Sequence, residues 1–333
     1  MLLHDSLMTR VFLHDPGRFI DKYKKKVMLD IVIEARSAAI SPAVKVKRIL
    51  PFRLRRMVGP FIFMDHAGPI VDIPSQPSAL DVLPHPHIGL STVSYLFGGQ
   101  VTHRDSLGVE QVIRPGEVNW MTAGSGIAHS ERFEDPSSFS EGLEMIQTWA
   151  ALPERDEEAA PSFNNYTPEL LPVFTDKDVW MRLIAGTAYG LQNNVKINSP
   201  LFYLHVVLQQ GARFALPREH SERGFYIVKG SIEVSGITYG QGKMLVFTKA
   251  SDPSIIAREY TSLMLLGGEP LGERFIWWNF VSSRKERINR RKKTGNKDGS
   301  YCLQMTIKNL FHCLKINQSR QGVRQNRNRF PKF

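Results

Sequence analysis

Two short histidine-bearing pairs constrain this chain more than any other feature: His85-Pro86-His87 and, 42 residues after His87, His129-Ser130-Glu131. Side chains alternate in direction along a strand, so residues two apart point to the same face. If both pairs lie on neighbouring strands, three imidazoles and one carboxylate face one space. Such a donor set suits a divalent metal with positions left open, and differs from a closed structural zinc site. No other His-x-His occurs among the ten histidines. The surrounding sequence is strand-like on both sides. Thr92-Val93-Ser94-Tyr95-Leu96-Phe97 is β-prone and ends at Gly98-Gly99. The run from Pro115 to Ala128 reads as turn, strand and tight glycine bend rather than helix. Histidine strands joined by hairpins predict a small antiparallel barrel with a metal inside.

These residues carry a family resemblance. His85-Pro86-His87-x-Gly89, Thr92-Val93-Ser94-Tyr95 and Trp120-Met121-Thr122-Ala123-Gly124-x-Gly126-Ile127-x-His129-x-Glu131 resemble the signature of the pirin family, two-domain members of the cupin superfamily. Val58 to His66 and Trp278 to Ser283 match it as well, and the resemblance spans residues 28–288. It implies an all-β chain of two cupin-type antiparallel β-barrel (jelly-roll) domains, face to face, with few short helices. It also implies that His85, His87, His129 and Glu131 are the ligands of one non-haem metal ion, with Fe(II) favoured and Mn, Co, Ni or Zn as alternatives.

The expected domain layout follows from composition. Residues 29–161 form the metal-binding N-terminal domain, 162–172 a linker or crossover, and 173–283 a second barrel. In the second barrel, Phe202–Leu208, Gly224–Val228, Ser231–Ser235 and Lys243–Phe247 are β-prone runs separated by glycine turns. A faint repeat relates Tyr95-Leu96-Phe97-Gly98-Gly99 to Tyr226-Ile227-Val228-Lys229-Gly230. Where the first copy has His-x-His, the second has only His220, so no complete ligand set is expected there. His205, inside an apolar run, is expected to be a packed histidine.

The chain carries a net charge of +11, with 43 Lys and Arg against 32 Asp and Glu. By segment the picture reverses. Residues 284–333 hold 15 basic and 2 acidic residues, and residues 1–28 hold 6 and 3, which leaves the body at −5. An acidic body does not attract polyphosphate, so direct nucleic-acid binding by the folded part is not expected. The basic tail contains both cysteines, Cys302 and Cys313. In another reading frame, permissible codons for residues 291–313 spell an ending similar to the acidic one usual in pirin-like chains. We therefore expect a one-base frameshift near residues 289–291 and a disordered tail over 284–333. Residues 1–28 are expected to be an upstream extension or a disordered arm, because Met28 resembles the usual pirin start and no signal-like apolar core precedes it. No long apolar run predicts a membrane span. A body without cysteine fits a reducing cytoplasm.

A His₃Glu site of this kind can bind a chelating enol and dioxygen together, with Glu131 as ligand and catalytic base. The resemblance implies a quercetin 2,3-dioxygenase-like activity, in which a flavonol-like small molecule and O₂ react with release of carbon monoxide. The alternative it implies is a non-enzymatic, redox-responsive metal-binding regulator acting through a protein partner. His103 is placed near the pocket or behind a ligand. Ile88 and Ser91 stand where pirins commonly carry Arg and Glu, and are expected at the pocket rim.

Overall fold

The computed structural model describes residues 29–40, 44–140, 142–249 and 251–298. Two barrels, each made of one large and one small antiparallel sheet, account for nearly all of this. The first barrel has a seven-stranded sheet ordered Ser162–Tyr166, Val118–Thr122, Leu90–Gly98, Leu143–Ala151, Phe61–Ile70, Lys45–Leu50 and Arg36–Ala39. Facing it is a four-stranded sheet ordered Val82–His87, Ile127–Arg132, Val101–Asp105 and Glu110–Ile113. The second barrel repeats the plan. Its small sheet comprises Arg213–Ala215, Ser254–Ala257, Ser231–Val234 and Ile237–Gly240.

The large sheets pack on each other, and the sequence shows why. In Leu201–Leu208, Leu201 and Tyr203 enter the apolar layer between the barrels, whereas Phe202, Leu204, Val206 and Leu208 fill the second barrel. Glu222–Lys229 divides the same way, with Tyr226 and Val228 outward and Phe225 and Ile227 inward. Such strands read as continuous hydrophobic runs because both faces are buried. From the first barrel, Val93, Tyr95, Trp120 and Ile146 meet this shared layer.

The two barrel interiors differ in character. The second is filled by Phe202, Phe214, Phe225 and Phe247 with aliphatic neighbours. In the first, alternation turns Thr92 and Ser94 away from the shared layer that holds Val93 and Tyr95, and pairs them with Trp149 and Gln147. Its interior is therefore partly polar, and the histidine pairs sit in its small sheet.

The barrels do not follow the expected boundaries of 29 and 283. Leu29–Glu34 pairs with Lys243–Phe247 and so belongs to the large sheet of the second barrel. Its Ile33 is buried in the shared layer, which explains the assignment physically. Conversely, a hairpin of Phe275–Trp277 and Phe280–Ser282 lies against the first barrel. The Val281 N–H donates to the Ile88 carbonyl at 3.1 Å, and Phe280 bridges Ile88 in parallel.

The tail also departs from expectation. Disorder from residue 284 is replaced by a helix, Lys285–Asp298, because its first turns are anchored. Arg287 is almost fully buried and donates to the carbonyls of Glu157 and Gly124 at 2.7 and 3.2 Å and to the Glu158 carboxylate at 2.7 Å. Ile288 packs with Ile88 and Phe280. The expected arm at 1–28 and the tail beyond 298 lie outside the described residues.

Candidate metal centre

Antiparallel pairing places the two histidine strands side by side. His129 lies opposite His85, and Ile127 opposite His87. The turn that joins them to the body depends on two glycines. Gly89 donates its N–H to the Gly124 carbonyl at 2.9 Å, closing the end of both strands. Both glycines have positive φ, +67° and +51°. A Cβ on Gly89 would lie 2.1 Å from the Val281 oxygen, and one on Gly124 2.0 Å from the Ala159 oxygen. No larger residue fits either position.

His85, His87 and His129 offer donor atoms that all lie within 4.8 Å of one another. The His87 and His129 Nε2 atoms are 3.1 Å apart. Two nitrogens bound at right angles to one ion, each at the usual distance of about 2.1 Å, would be about 3.0 Å apart. Two of the rings are fixed by their other nitrogen. His85 Nδ1 donates to the Leu83 carbonyl at 2.8 Å, leaving Nε2 as the free donor. His129 Nδ1 meets His103 Nδ1 at 3.3 Å, and His103 Nε2 meets the Asp105 carboxylate at 3.0 Å. Because the carboxylate accepts, His103 carries its proton on Nε2 and accepts at Nδ1 from His129. That tautomer again leaves His129 Nε2 free. Asp105 is itself held by the N–H groups of Leu107 and Val109 at 2.8 and 3.2 Å. His103 stacks on Phe163 with ring centroids 4.3 Å apart. His87 Nδ1 is buried without a regular hydrogen bond, and the ring stands edge-on to Trp149 at 5.2 Å.

Burial keeps the three imidazoles neutral. It lowers the pKa of His85, and it lowers those of His87 and His129 well below the usual histidine range, with the neighbouring histidines adding to the effect. Neutral imidazole is the form that binds metal. Glu131 is buried too, and desolvation pushes its carboxyl up to about 7, opposed by a hydrogen bond from Gln147. The donor set, neutral and desolvated with one carboxylate nearby, fits a divalent ion.

Glu131 stands outside the group of three clustered donors. An extra residue in the Val82–His87 strand pairs Glu131 with Val82 rather than with Leu83, whereas on its other side Glu131 keeps regular register, opposite His103 as His129 is opposite Asp105. The expected rim residues are elsewhere. Ile88 follows His87 and so faces the opposite way, buried with Phe280 and Ile288. Ser91 lies on the same face of its strand as Val93, and its hydroxyl bonds Thr122 at 3.0 Å. Asp105 and Trp149 were not singled out from sequence. Asp105 was detectable, because it stands two residues from His103 and shares its strand face.

Two family models match the chain in sequence order: Pirin over residues 43–150 and the Pirin C-terminal cupin domain over 203–295. A "Pirin-like protein" of Caulobacter vibrioides is 49% identical over 80% of this chain and 92% of its own length. The chain belongs to the pirin family. Among solved structures, this pirin is similar to a quercetin 2,3-dioxygenase from Acinetobacter baumannii, with a TM-score of 0.73 and 33% identity over 82% of this chain and 89% of that one. The fold is shared with the bacterial pirin YhhW of Escherichia coli, solved in complex with nickel(II), at a TM-score of 0.55 and 16% identity over 72% of this chain and 99% of that one. No helix among the described residues of this pirin is long and apolar enough to cross a membrane.

Proposed function

We propose that this pirin is a metal-dependent dioxygenase that opens the flavonol ring of quercetin-like substrates with O₂ and releases carbon monoxide. The observation that carries this reading is the cluster of three neutral imidazoles, His87 and His129 buried and His85 half-buried, with donor atoms within 4.8 Å of one another. His85, His87 and His129 would hold one divalent ion, Fe(II) in our reading, with Glu131 as the fourth ligand. Such an ion would supply a Lewis acid for a chelating enol and a redox partner for dioxygen.

The protein's own groups do the remaining work. Asp105 and His103 fix the His129 tautomer and keep the ring aimed. Glu131, with its carboxyl near neutrality, can take the proton of the substrate's 3-hydroxyl and return it to the product carboxylate. Trp149, edge-on to His87 and stacked on Phe63 at 4.0 Å, limits water on one side. The structural relative named as a quercetin dioxygenase supports the substrate class.

The test is carbon monoxide release from quercetin under O₂ by protein loaded anaerobically with Fe(II), beside His129→Ala. Metal-dependent release that disappears in the variant is expected. Iron-loaded protein that releases no carbon monoxide refutes the enzyme reading.

A further inference from the structure

A cavity of about 570 Å³ opens on the first barrel, and strand register shows which way its walls face. Ser37 pairs with Lys47, and Lys47 with His66, so these three lining residues stand in one row across adjacent strands. His66 in turn pairs with Ile146 of the shared layer, and its Nδ1 meets the Tyr226 hydroxyl of the second barrel at 3.0 Å. Lys45, two residues before Lys47, points the same way. Arg48 turns to the other face, where Asp65 binds it at 2.8 and 2.9 Å. The row therefore stands on the opposite side of the large sheet from Trp149, which faces His87.

The polar groups around this cavity fall into two kinds. His66 has no hydrogen bond left to give. Its Nε2–H donates to the Glu144 carboxylate at 2.9 Å, and its Nδ1 accepts from the Tyr226 hydroxyl. Lys45 and Lys47 are uncommitted: among the described residues neither makes an ion pair, and nor does Asp72, which also lines the cavity. Two ammonium groups and one carboxylate leave a net charge of +1. Beside them lie Ile70 and Val71, and Val71 is 70% exposed. Apolar surface left open on a cavity wall gains when a ligand covers it. The volume falls within the range of small-molecule sites, about 300–1,000 Å³.

We propose that this cavity is a second ligand site, separate from the metal centre, for a small organic monoanion. A carboxylate sits between Lys45 and Lys47, with the Ser37 hydroxyl as a further donor, and the apolar body of the ligand lies on Ile70 and Val71. Asp72 sets the limit on charge. A dianion such as phosphate meets a like charge there and brings no apolar surface to the wall. The site is independent of the flavonol reading, because none of the candidate metal ligands lines it.

The test is isothermal titration of the full chain with 2-naphthoate, a carboxylate on an apolar ring system. Three further probes separate the contributions: 2-naphthalenemethanol has the rings without the charge, acetate the charge without the rings, and inorganic phosphate the higher charge. Only 2-naphthoate is expected to saturate the wild type below about 1 mM. Lys47→Ala should raise its Kd about tenfold, the effect of one lost charge-assisted hydrogen bond. Replacing both lysines by alanine should abolish binding. Asp72→Asn should lower the Kd about twofold to threefold, because it removes a like charge, an effect that a purely structural role would not produce. His129→Ala should leave the Kd within about twofold, because the two sites lie on opposite sides of the sheet. Neither lysine belongs to the core, so the lysine variants should melt with the wild type.

Failure of 2-naphthoate to saturate the wild type overturns the site. A Kd unchanged by removal of both lysines overturns it too. So does binding that disappears in His129→Ala, since the probe would then be at the metal centre. Phosphate binding tighter than 2-naphthoate overturns the assignment to a monoanion with an apolar body.

Discussion

Acid should loosen this protein at the seam between its barrels, and His205 is the group responsible. Its ring is buried between Tyr95 and Phe97 of the first barrel and Trp180 of the second. Arg182 donates to the Tyr95 hydroxyl at 3.4 Å, so that hydroxyl donates onward to His205 Nδ1 at 3.0 Å. His205 Nε2 then donates to the Ser262 hydroxyl at 3.0 Å. The network needs a neutral imidazole. A proton on Nδ1 would face another donor, in a site with no carboxylate to offset it. Burial, with Arg182 adding to it, accordingly lowers the pKa from 6.5 to about 3.

The unfolded chain takes up this proton near pH 6.5 and the folded one only near pH 3. The stabilising contribution is therefore complete above 6.5 and is lost as pH falls through the window to 3. At about 1.36 kcal/mol per pH unit, the loss reaches about 3 kcal/mol by pH 4.5. Urea unfolding of wild type and His205→Gln at several pH values between 7 and 4.5 measures it, with metal kept constant. Trp180, 5.1 Å from the ring, makes fluorescence a local reporter. The difference between the two stability curves should change by about 3 kcal/mol over that range. A difference curve flat to within about 0.5 kcal/mol would falsify the assignment.

Other perturbations follow from the same contacts. Asp105→Asn removes the acceptor that fixes His103 and, through it, His129; isothermal titration should show metal affinity lower by about 10- to 100-fold. Arg287→Ala leaves the buried Glu157 carbonyl without its donor and breaks an ion pair to the exposed Glu158, so chemical unfolding should register a loss of about 1–3 kcal/mol; a loss below about 0.5 kcal/mol would show the anchor to be dispensable. Gly124→Ala drives a methyl to 2.0 Å from the Ala159 oxygen, and its melting temperature should fall well below that of an alanine at exposed Gly108, where a Cβ meets nothing within 4 Å.

Much of the site was legible because strand chemistry is periodic. The i, i+2 spacing put His85 beside His87, the family resemblance added His129, and the structure brings the three donors together. Glu131 obeys the same spacing and stays in register with His103, while the strand of His85 takes up an extra residue beside it, which a local pattern does not record. Ile88 was misread as a rim residue because its family position drew attention away from its parity: one residue after an inward histidine, it faces outward. The two all-β barrels were legible in the runs around Leu201 and Tyr226. What escaped was the exchange of chain ends. Whether Leu29–Glu34 pairs with its sequence neighbours or with residues more than 200 positions away depends on long-range closure, and nothing in six apolar-alternating residues specifies it. The buried Arg287 was hidden inside a basic run whose composition suggested disorder.

That exchange bears on how the protein is born. Leu29–Glu34, made early, waits for Lys243–Phe247 before it has a partner. The loop that leads into the His129 strand waits for Arg287, which donates to its Gly124 carbonyl. On the ribosome, therefore, the histidines emerge long before their enclosure is finished. A prematurely terminated chain that ends between residues 132 and 286 carries all four candidate ligands and lacks the bolt across them. In such a chain the candidate metal centre is made but not closed, so completion of the site and completion of synthesis are coupled through one buried arginine.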